Sequence, residues 1–153
     1  VARHYQAKAP GDPAAADALL RSDAFAGAST RFLARSAKAD AWLYRFEAVP
    51  QQARNVTARA PHGTELFYTF GTLGTFPYKP DPTAARDRQT ADAMVRYWAQ
   101  FAKTGSPRAK GAPAWPAYDP QRPVRLRIGD AGPLAESDDD AAVLDVLAKA
   151  LLR

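Results

Sequence analysis

The residues of this sequence best suited to proton transfer are His62 and Glu65. His62 is one of only two histidines, and it stands between Pro61 and Gly63 at the entrance of an aromatic segment. A neutral imidazole titrates at about pH 6.5, so a histidine on a stiff turn can carry a proton near neutral pH. The same pattern also fits a loop histidine without a chemical role, and the local sequence leaves both interpretations open.

Other kinds of chemistry have little support in the sequence. The absence of cysteine excludes disulfides, thiol nucleophiles and cysteine-bound zinc. The histidines His4 and His62 lie far apart and lack the HExxH-type spacing of a catalytic metal site, so we expect no metal. Residues 136–140 are acidic but lack the ligand spacing of a calcium loop, and we expect a solvated helix start there. We expect His4 to be a surface residue.

The composition is typical of a globular domain. Hydrophobic residues make up 46% of the 153 residues and charged residues 24%. The net charge of +5 comes from scattered arginines, without the basic stripe of a nucleic-acid binder. No apolar run approaches the roughly 20 residues of a membrane span. The sequence begins at Val1 without a signal peptide, so we expect a cut or processed amino terminus and leave the localisation open, with a secreted or periplasmic location compatible.

A first helix is predicted after a surface loop at residues 6–17 that is rich in Ala, Pro and Gly. Ser22 or Asp23 is the expected helix start, because either side chain can accept a bond from a free backbone amide. The helical spacing places Arg31 away from an apolar face that consists of Phe25, Ala28, Ser29, Phe32 and Leu33.

Two further helices follow from apolar stripes. One stripe covers residues 91–102, and Gly105 is the expected stop. We expect its Trp98 and Phe101 to lie in the core. The last helix is predicted over residues 138–153, where acidic residues at the start and basic residues near the end complement the helix dipole.

Two segments have the pattern of strands. Residues 41–46 are apolar on both faces and predict a central strand, whereas residues 124–128 alternate strictly and predict an edge strand. Two strands are too few for a stable sheet. The sequence therefore predicts an α/β fold whose sheet is incomplete, with flanking helices.

Four stretches, taken in order, resemble the C-terminal part of the type B carboxylesterases, the α/β-hydrolase family that includes cholinesterases and bacterial para-nitrobenzyl esterases. Each stretch is short, but the series of four is specific. They are the Asp-x-Phe and aromatic strand at residues 23–25 and 42–46, the His-Gly-x-Glu-Leu turn at 62–71, the Tyr-Trp-x-x-Phe-Ala helix at 94–107 and the Trp-Pro-x-Tyr at 115–118.

The resemblance implies that residues 1–153 are the C-terminal segment of a single α/β-hydrolase catalytic domain, and that the upstream part is missing. The complete protein is then expected to hydrolyse carboxylic esters with a serine, an acid and a histidine and without a cofactor. This sequence contains no Gly-x-Ser-x-Gly, so the serine and its acid would lie upstream. We expect the segment alone to be inactive. Its expected partners are a small ester substrate and the missing N-terminal part, in the same or a separate chain.

By the same resemblance, His62 is the catalytic histidine and Gly63 allows the tight turn behind it. Glu65 would be a supporting carboxylate within the core rather than the acid that orients the ring. A pocket for uncharged esters is mostly apolar, and three aromatic residues could line it or simply pack beneath a long loop: Phe70, Phe76 and Tyr78.

Two alternatives remain open at this stage. The first is a non-catalytic, cholinesterase-like binding or adhesion domain, which the retained histidine argues against. The second is an independent small domain that binds an apolar partner through its aromatic surface. An upstream serine would decide between the esterase and the adhesion domain.

Overall fold

The computed structural model of the protein describes residues 1–74 and 81–151, which form two compact units. The first unit comprises residues 1–43, 117–124 and 137–153. Its elements are α1 (Ala2–Lys8), α2 (Pro13–Ser22), a π-helical turn (Asp23–Gly27), α3 (Ala28–Ser36) and α6 (Ala141–Leu151). The second unit comprises residues 44–116 and 125–136 and holds the sheet. Its elements are β1 (Tyr44–Phe46), a 3₁₀ turn (Gln51–Ala53), α4 (Glu65–Thr69), α5 (Ala85–Thr104), β2 (Val124–Gly129) and β3 (Gly132–Ser137).

The surface loop predicted at residues 6–17 is wrong, because α1 and α2 occupy most of it. The side chain of Asp12 caps α2 by accepting a hydrogen bond from the amide of Ala15 at 2.9 Å. Pro13 stands at the first helical position, where its missing N–H costs nothing. Gly and Pro therefore mark a helix start here rather than a continuous loop.

The helix start predicted at Ser22 or Asp23 is also wrong. The chain is already helical from Pro13, and the π-helical turn links α2 to α3. Asp23 is buried, and its carboxylate accepts a hydrogen bond from the hydroxyl of Tyr5 at 3.0 Å. This side chain therefore connects α1 to the π-helical turn and caps no helix.

The predicted apolar face of the first helix is confirmed at Ala28, which is fully buried, but is wrong at its large side chains. Phe25 is 77% exposed and Leu33 is 67% exposed, whereas Arg31 is only 2% exposed. The guanidinium of Arg31 bonds to the carboxylates of Asp138, at 3.3 Å, and Asp145, at 2.7 Å. These partners lie more than 100 positions away, so helical spacing alone could not place Arg31 inside the unit.

The helix predicted at the C-terminal end of the chain is confirmed as α6, and the apolar side of this helix forms the core of the first unit. The buried residues of that core are Tyr5, Ala16, Ala28, Val143, Leu144, Leu147 and Ala148. None of the helices in the described residues is both long and apolar enough to cross a membrane.

The acidic segment before α6 is not the solvated helix start that we predicted. Asp138 and Asp140 are both buried. The carboxylate of Asp140 accepts a hydrogen bond from Nε2 of His4 at 2.9 Å and also bonds to the ammonium of Lys8. The expectation that His4 is a surface residue is therefore wrong as well, since α1 uses this half-buried ring to hold the start of α6.

The sheet has the order β1-β2-β3, which places β2 in the middle. β1 pairs with β2 in parallel, with Tyr44 opposite Leu126. The prediction of a central strand at residues 41–46 and an edge strand at residues 124–128 is thus reversed. Leu126 and Ile128 are fully buried on one face of β2, as their alternation predicted. No local pattern predicts β3, whose Glu136 accepts hydrogen bonds from two arginines of β2.

The long helix α5 is confirmed, together with its stop. Gly105 has a φ of 73°, and its amide donates to the carbonyl of Phe101 at 2.7 Å. The buried residues of the helix are Asp87, Thr90, Ala91, Met94 and Tyr97. Trp98 is half-buried and packs edge-on against Tyr44, whereas the prediction that Phe101 lies in the core is wrong because its side chain is exposed.

Candidate active site

His62 lies in a tight turn that leads directly into α4. The amide of Thr64 donates to the carbonyl of Pro61 at 3.1 Å, and the amide of Leu66 donates to that of Gly63 at 3.2 Å. Gly63 has a φ of 80°, a backbone conformation that residues with a side chain rarely adopt. A Cβ atom at Gly63 would meet nothing within 4 Å. Backbone conformation rather than space therefore favours glycine beside the histidine.

The imidazole of His62 is exposed. No residue in the described part of the chain forms a hydrogen bond with the ring. Two large apolar side chains follow it in sequence: Leu66, in α4, is 52% exposed, and Phe70, at the end of that helix, is 72% exposed. The turn thus presents an accessible imidazole, and exposed apolar residues follow it in the chain.

Two of the three predicted pocket residues cannot be compared with this surface. Phe76 and Tyr78 lie outside the described residues. Phe70 belongs to the described residues. It is exposed and follows the histidine turn in the chain. Whether these three residues line a substrate pocket stays a prediction.

Glu65 begins α4 but forms no hydrogen bond with His62 among the described residues. Its side chain is half-buried, and it acts on Tyr44 of β1: burial, and then the negative charge of Glu65, raises the pKa of that tyrosine hydroxyl. The supporting role expected for Glu65 stays a prediction.

The chain between β1 and His62 is held against the β2–β3 hairpin. The carboxylate of Asp130 accepts from the amide of Val49 at 3.3 Å and pairs with the guanidinium of Arg54 at 2.5 Å. The bond from Arg54 keeps the pKa of the Asp130 carboxyl below its ordinary value. These two bonds therefore attach Val49 and Arg54, which precede the histidine turn, to the β2–β3 hairpin.

A buried hydrogen bond between Tyr68 and Asp87 lies in this region, and no sequence pattern predicted it. Asp87 is 1% exposed, and its carboxylate accepts from the hydroxyl of Tyr68 at 2.9 Å. It also accepts from the amides of Gln51, at 3.2 Å, and Asp81, at 2.8 Å. Burial, and then the charge of Asp87, raises the pKa of Tyr68, so the hydroxyl stays protonated and able to donate. The only local signal was an acidic residue in the first turn of a helix.

The chemistry available at the turn is proton transfer. Within residues 1–74 and 81–151, no group of three histidine, cysteine or acidic side chains could hold a metal ion. An accessible imidazole can accept a proton from a hydroxyl and return it to a leaving group. A reaction would require a nucleophile brought to the ring.

Comparison with known proteins places the chain in a family. The sequence pattern of the carboxylesterase family matches residues 8–142. Rat carboxylesterase 1C (Rattus norvegicus) is 33% identical over 127 residues, which cover 77% of this chain and 22% of that protein. Cat carboxylesterase 5A (Felis catus) is 36% identical over 92 residues, which cover 55% of this chain and 16% of that protein.

Solved esterase structures share the fold. A thermophilic PNB esterase superposes with a TM-score of 0.61 at 26% identity, covering 71% of this chain and 22% of that one. A carboxylesterase from Geobacillus stearothermophilus superposes with a TM-score of 0.62 at 24% identity, covering 95% of this chain and 30% of that one. The predicted α/β-hydrolase fold is confirmed, in the form of a partial sheet with flanking helices.

The chain spans about a fifth of the length of the curated carboxylesterases 1C and 1D of the rat. Those relatives and the solved esterases agree with the family that residues 23–25, 42–46, 62–71, 94–107 and 115–118 indicated. The match of the family pattern covers far more than half of the chain. The chain belongs to the carboxylesterase family.

Proposed function

We propose that the complete protein hydrolyses carboxylic esters by a serine-dependent mechanism, and that residues 1–153 are the C-terminal segment of its catalytic domain and supply the histidine, His62. One observation carries the proposal: in a chain of the carboxylesterase family, an exposed imidazole stands on a glycine turn that exposed apolar residues follow in sequence. The other histidine, His4, is already bonded to Asp140 in the first unit.

In the proposed reaction, His62 first acts as a general base. It accepts the proton of a serine hydroxyl while the serine oxygen attacks the ester carbonyl, and it then returns the proton to the departing alkoxide. In the second half it accepts a proton from water, whose oxygen attacks the acyl-serine, and it protonates the released serine oxygen. The serine and its acid would come from the part of the domain outside these 153 residues.

The exposed apolar residues support a covering partner, which we propose to be the rest of the same catalytic domain. In the second unit these residues include Leu66 and Phe70, close in sequence to His62, and in the first unit they include Phe25 and Leu33. Such large exposed side chains are typical of an interaction surface when they cluster on one helix face. The segment alone would then be inactive.

The edge of the sheet supports the same partner. In the described part of the chain, β1 pairs with β2 alone, so β1 is an edge strand of this sheet. We propose that upstream strands of the domain continue the sheet there. The apolar surface at Leu66 and Phe70 favours an uncharged ester as the substrate.

The pH dependence of the complete protein tests the proposed function. We expect kcat/KM for an uncharged para-nitrophenyl ester to rise with pH and then to level off, because only a neutral imidazole can accept the serine proton. Serine-directed diisopropyl fluorophosphate should abolish the activity.

A rate that does not change between pH 5 and 8, or activity that survives the fluorophosphate, would contradict the proposal. The complete absence of ester hydrolysis by a folded, complete protein would favour the non-catalytic adhesion domain instead.

A further inference from the structure

One buried carboxylate holds both ends of the segment that carries His62. Gln51 lies 11 residues before the histidine and Tyr68 lies six residues after it, and both donate hydrogen bonds to Asp87. The third donor is the amide of Asp81, which lies just before α5 in the chain. A change at Asp87 would therefore remove one attachment on each side of His62, and a change at Tyr68 would remove the later one.

The imidazole itself has no such support. Its ring receives no hydrogen bond from residues 1–74 or 81–151, so the backbone of its turn determines where it stands. The local bonds of the turn, from Thr64 to Pro61 and from Leu66 to Gly63, fix its shape but not its position in the unit. That position depends on the flanks of the segment. Of these, Tyr68 is the nearer buried anchor.

We propose that the hydrogen bond from Tyr68 to Asp87 positions His62 for proton transfer. This inference rests on the proposed function, because it assigns a positioning role toward the reaction of that histidine. Tyr68 and Asp87 are positioning residues, since they act on the ring through the backbone of α4. A displacement of about 1 Å at a reacting group can reduce turnover by about a hundredfold, so even a small release of this anchor is measurable.

A buried tyrosine that only stabilises the fold is the competing explanation, and the chain contains a matched control. Tyr97 of α5 is fully buried like Tyr68, lies in the same unit and donates its hydroxyl to the carbonyl of Pro113 at 2.8 Å. Replacement by phenylalanine removes one buried hydroxyl and its hydrogen bond at either position, and keeps the ring. Tyr68→Phe should lower Tm more than Tyr97→Phe, because its hydroxyl bonds to a buried carboxylate rather than to a neutral carbonyl. The kinetic comparison is therefore made well below both Tm values.

The test compares four variants of the complete protein well below their Tm, with a para-nitrophenyl ester as substrate. We expect Tyr68→Phe to lower kcat about tenfold to a hundredfold with KM changed less than about twofold. We expect Tyr97→Phe to keep the kcat of the parent. Asp87→Asn should lower kcat at least as far as Tyr68→Phe. The double variant should be no slower than Asp87→Asn alone, because both changes break the same link.

Equal kcat values for Tyr68→Phe and Tyr97→Phe, or fully additive effects in the double variant, would overturn the inference. Amide hydrogen exchange gives a readout that is independent of activity. Exchange in residues 51–68 should accelerate in Tyr68→Phe and not in Tyr97→Phe, and equal rates would also overturn it. If His62→Ala keeps parental turnover, the proposed function fails. If Tyr68→Phe and Tyr97→Phe do not differ while His62→Ala is inactive, only the positioning inference fails and the proposed function stands.

Discussion

Replacing His62 by alanine in the complete protein is expected to lower kcat/KM for an uncharged ester by roughly 10⁴- to 10⁶-fold. Loss of the histidine removes the base of both half-reactions, and serine hydrolases that lose it retain only the contribution of binding and of the oxyanion site. The protein should remain folded, because His62 is exposed and substitutions of such residues usually change stability by less than about 0.5 kcal/mol. Steady-state kinetics and circular dichroism check the two parts.

The controls for this variant are the other histidine and the nearby carboxylate. His4→Ala breaks the bond to Asp140, so it should lower stability and leave turnover close to the parent. Glu65→Gln should also lower stability more than turnover, since Glu65 is half-buried and forms no bond to His62 among the described residues. A folded Glu65→Gln protein without turnover would show that the supporting role assigned to Glu65 is wrong.

The largest expected effect on stability is at Arg31. Replacing it by methionine should lower the free energy of unfolding by about 3–5 kcal/mol, because the buried carboxylate of Asp138 loses this cation. The guanidinium also lies 5.4 Å from the centre of the Tyr118 ring, a contact that methionine does not reproduce. Urea unfolding followed by fluorescence measures the difference. The control is Arg21→Met, whose exposed pair with Asp17 should contribute about 1 kcal/mol or less.

The same variant has an expected pH dependence. Burial by itself would raise the pKa of Asp145, but the hydrogen bonds and charges of Arg31 and then Arg35 together outweigh it and hold that pKa below the ordinary value. A carboxyl whose pKa is lowered by folding stabilises the protein above its unfolded pKa, about 3.9, and loses this contribution as the pH falls through the folded pKa. The difference between the parent and Arg31→Met should therefore be full at pH 7 and shrink below about pH 4. A difference that grows on acidification would contradict the ion pair.

Local signals predicted the elements that depend on local physics. The apolar stripe and Gly105 were sufficient for α5, because the stop needs only a residue that tolerates positive φ. The alternation in β2 identified its buried face at Leu126 and Ile128. The resemblance of short motifs identified the family and directed attention to His62.

Long-range contacts explain most of the failures. Helical spacing predicts Arg31 on the outside because its partners Asp138 and Asp145 follow more than 100 residues later. The local pattern predicts a solvated Asp140 because its partner His4 lies near the opposite end of the chain. Tyr68 and Asp87 lie 19 positions apart, and an acidic residue in the first turn of α5 does not by itself identify its partner. The loop predicted over α2 failed differently: Pro13 was interpreted as a breaker, although Asp12 before it caps a helix.

The most direct test of the central claim is the distance from a ring nitrogen of His62 to the hydroxyl oxygen of the nucleophilic serine in a crystal structure of the complete protein. The account predicts a hydrogen-bond distance of about 2.6–3.2 Å, with Leu66 and Phe70 covered by the rest of the domain. A structure with the ring of His62 in solvent, and a different histidine bonded to that serine, would contradict it.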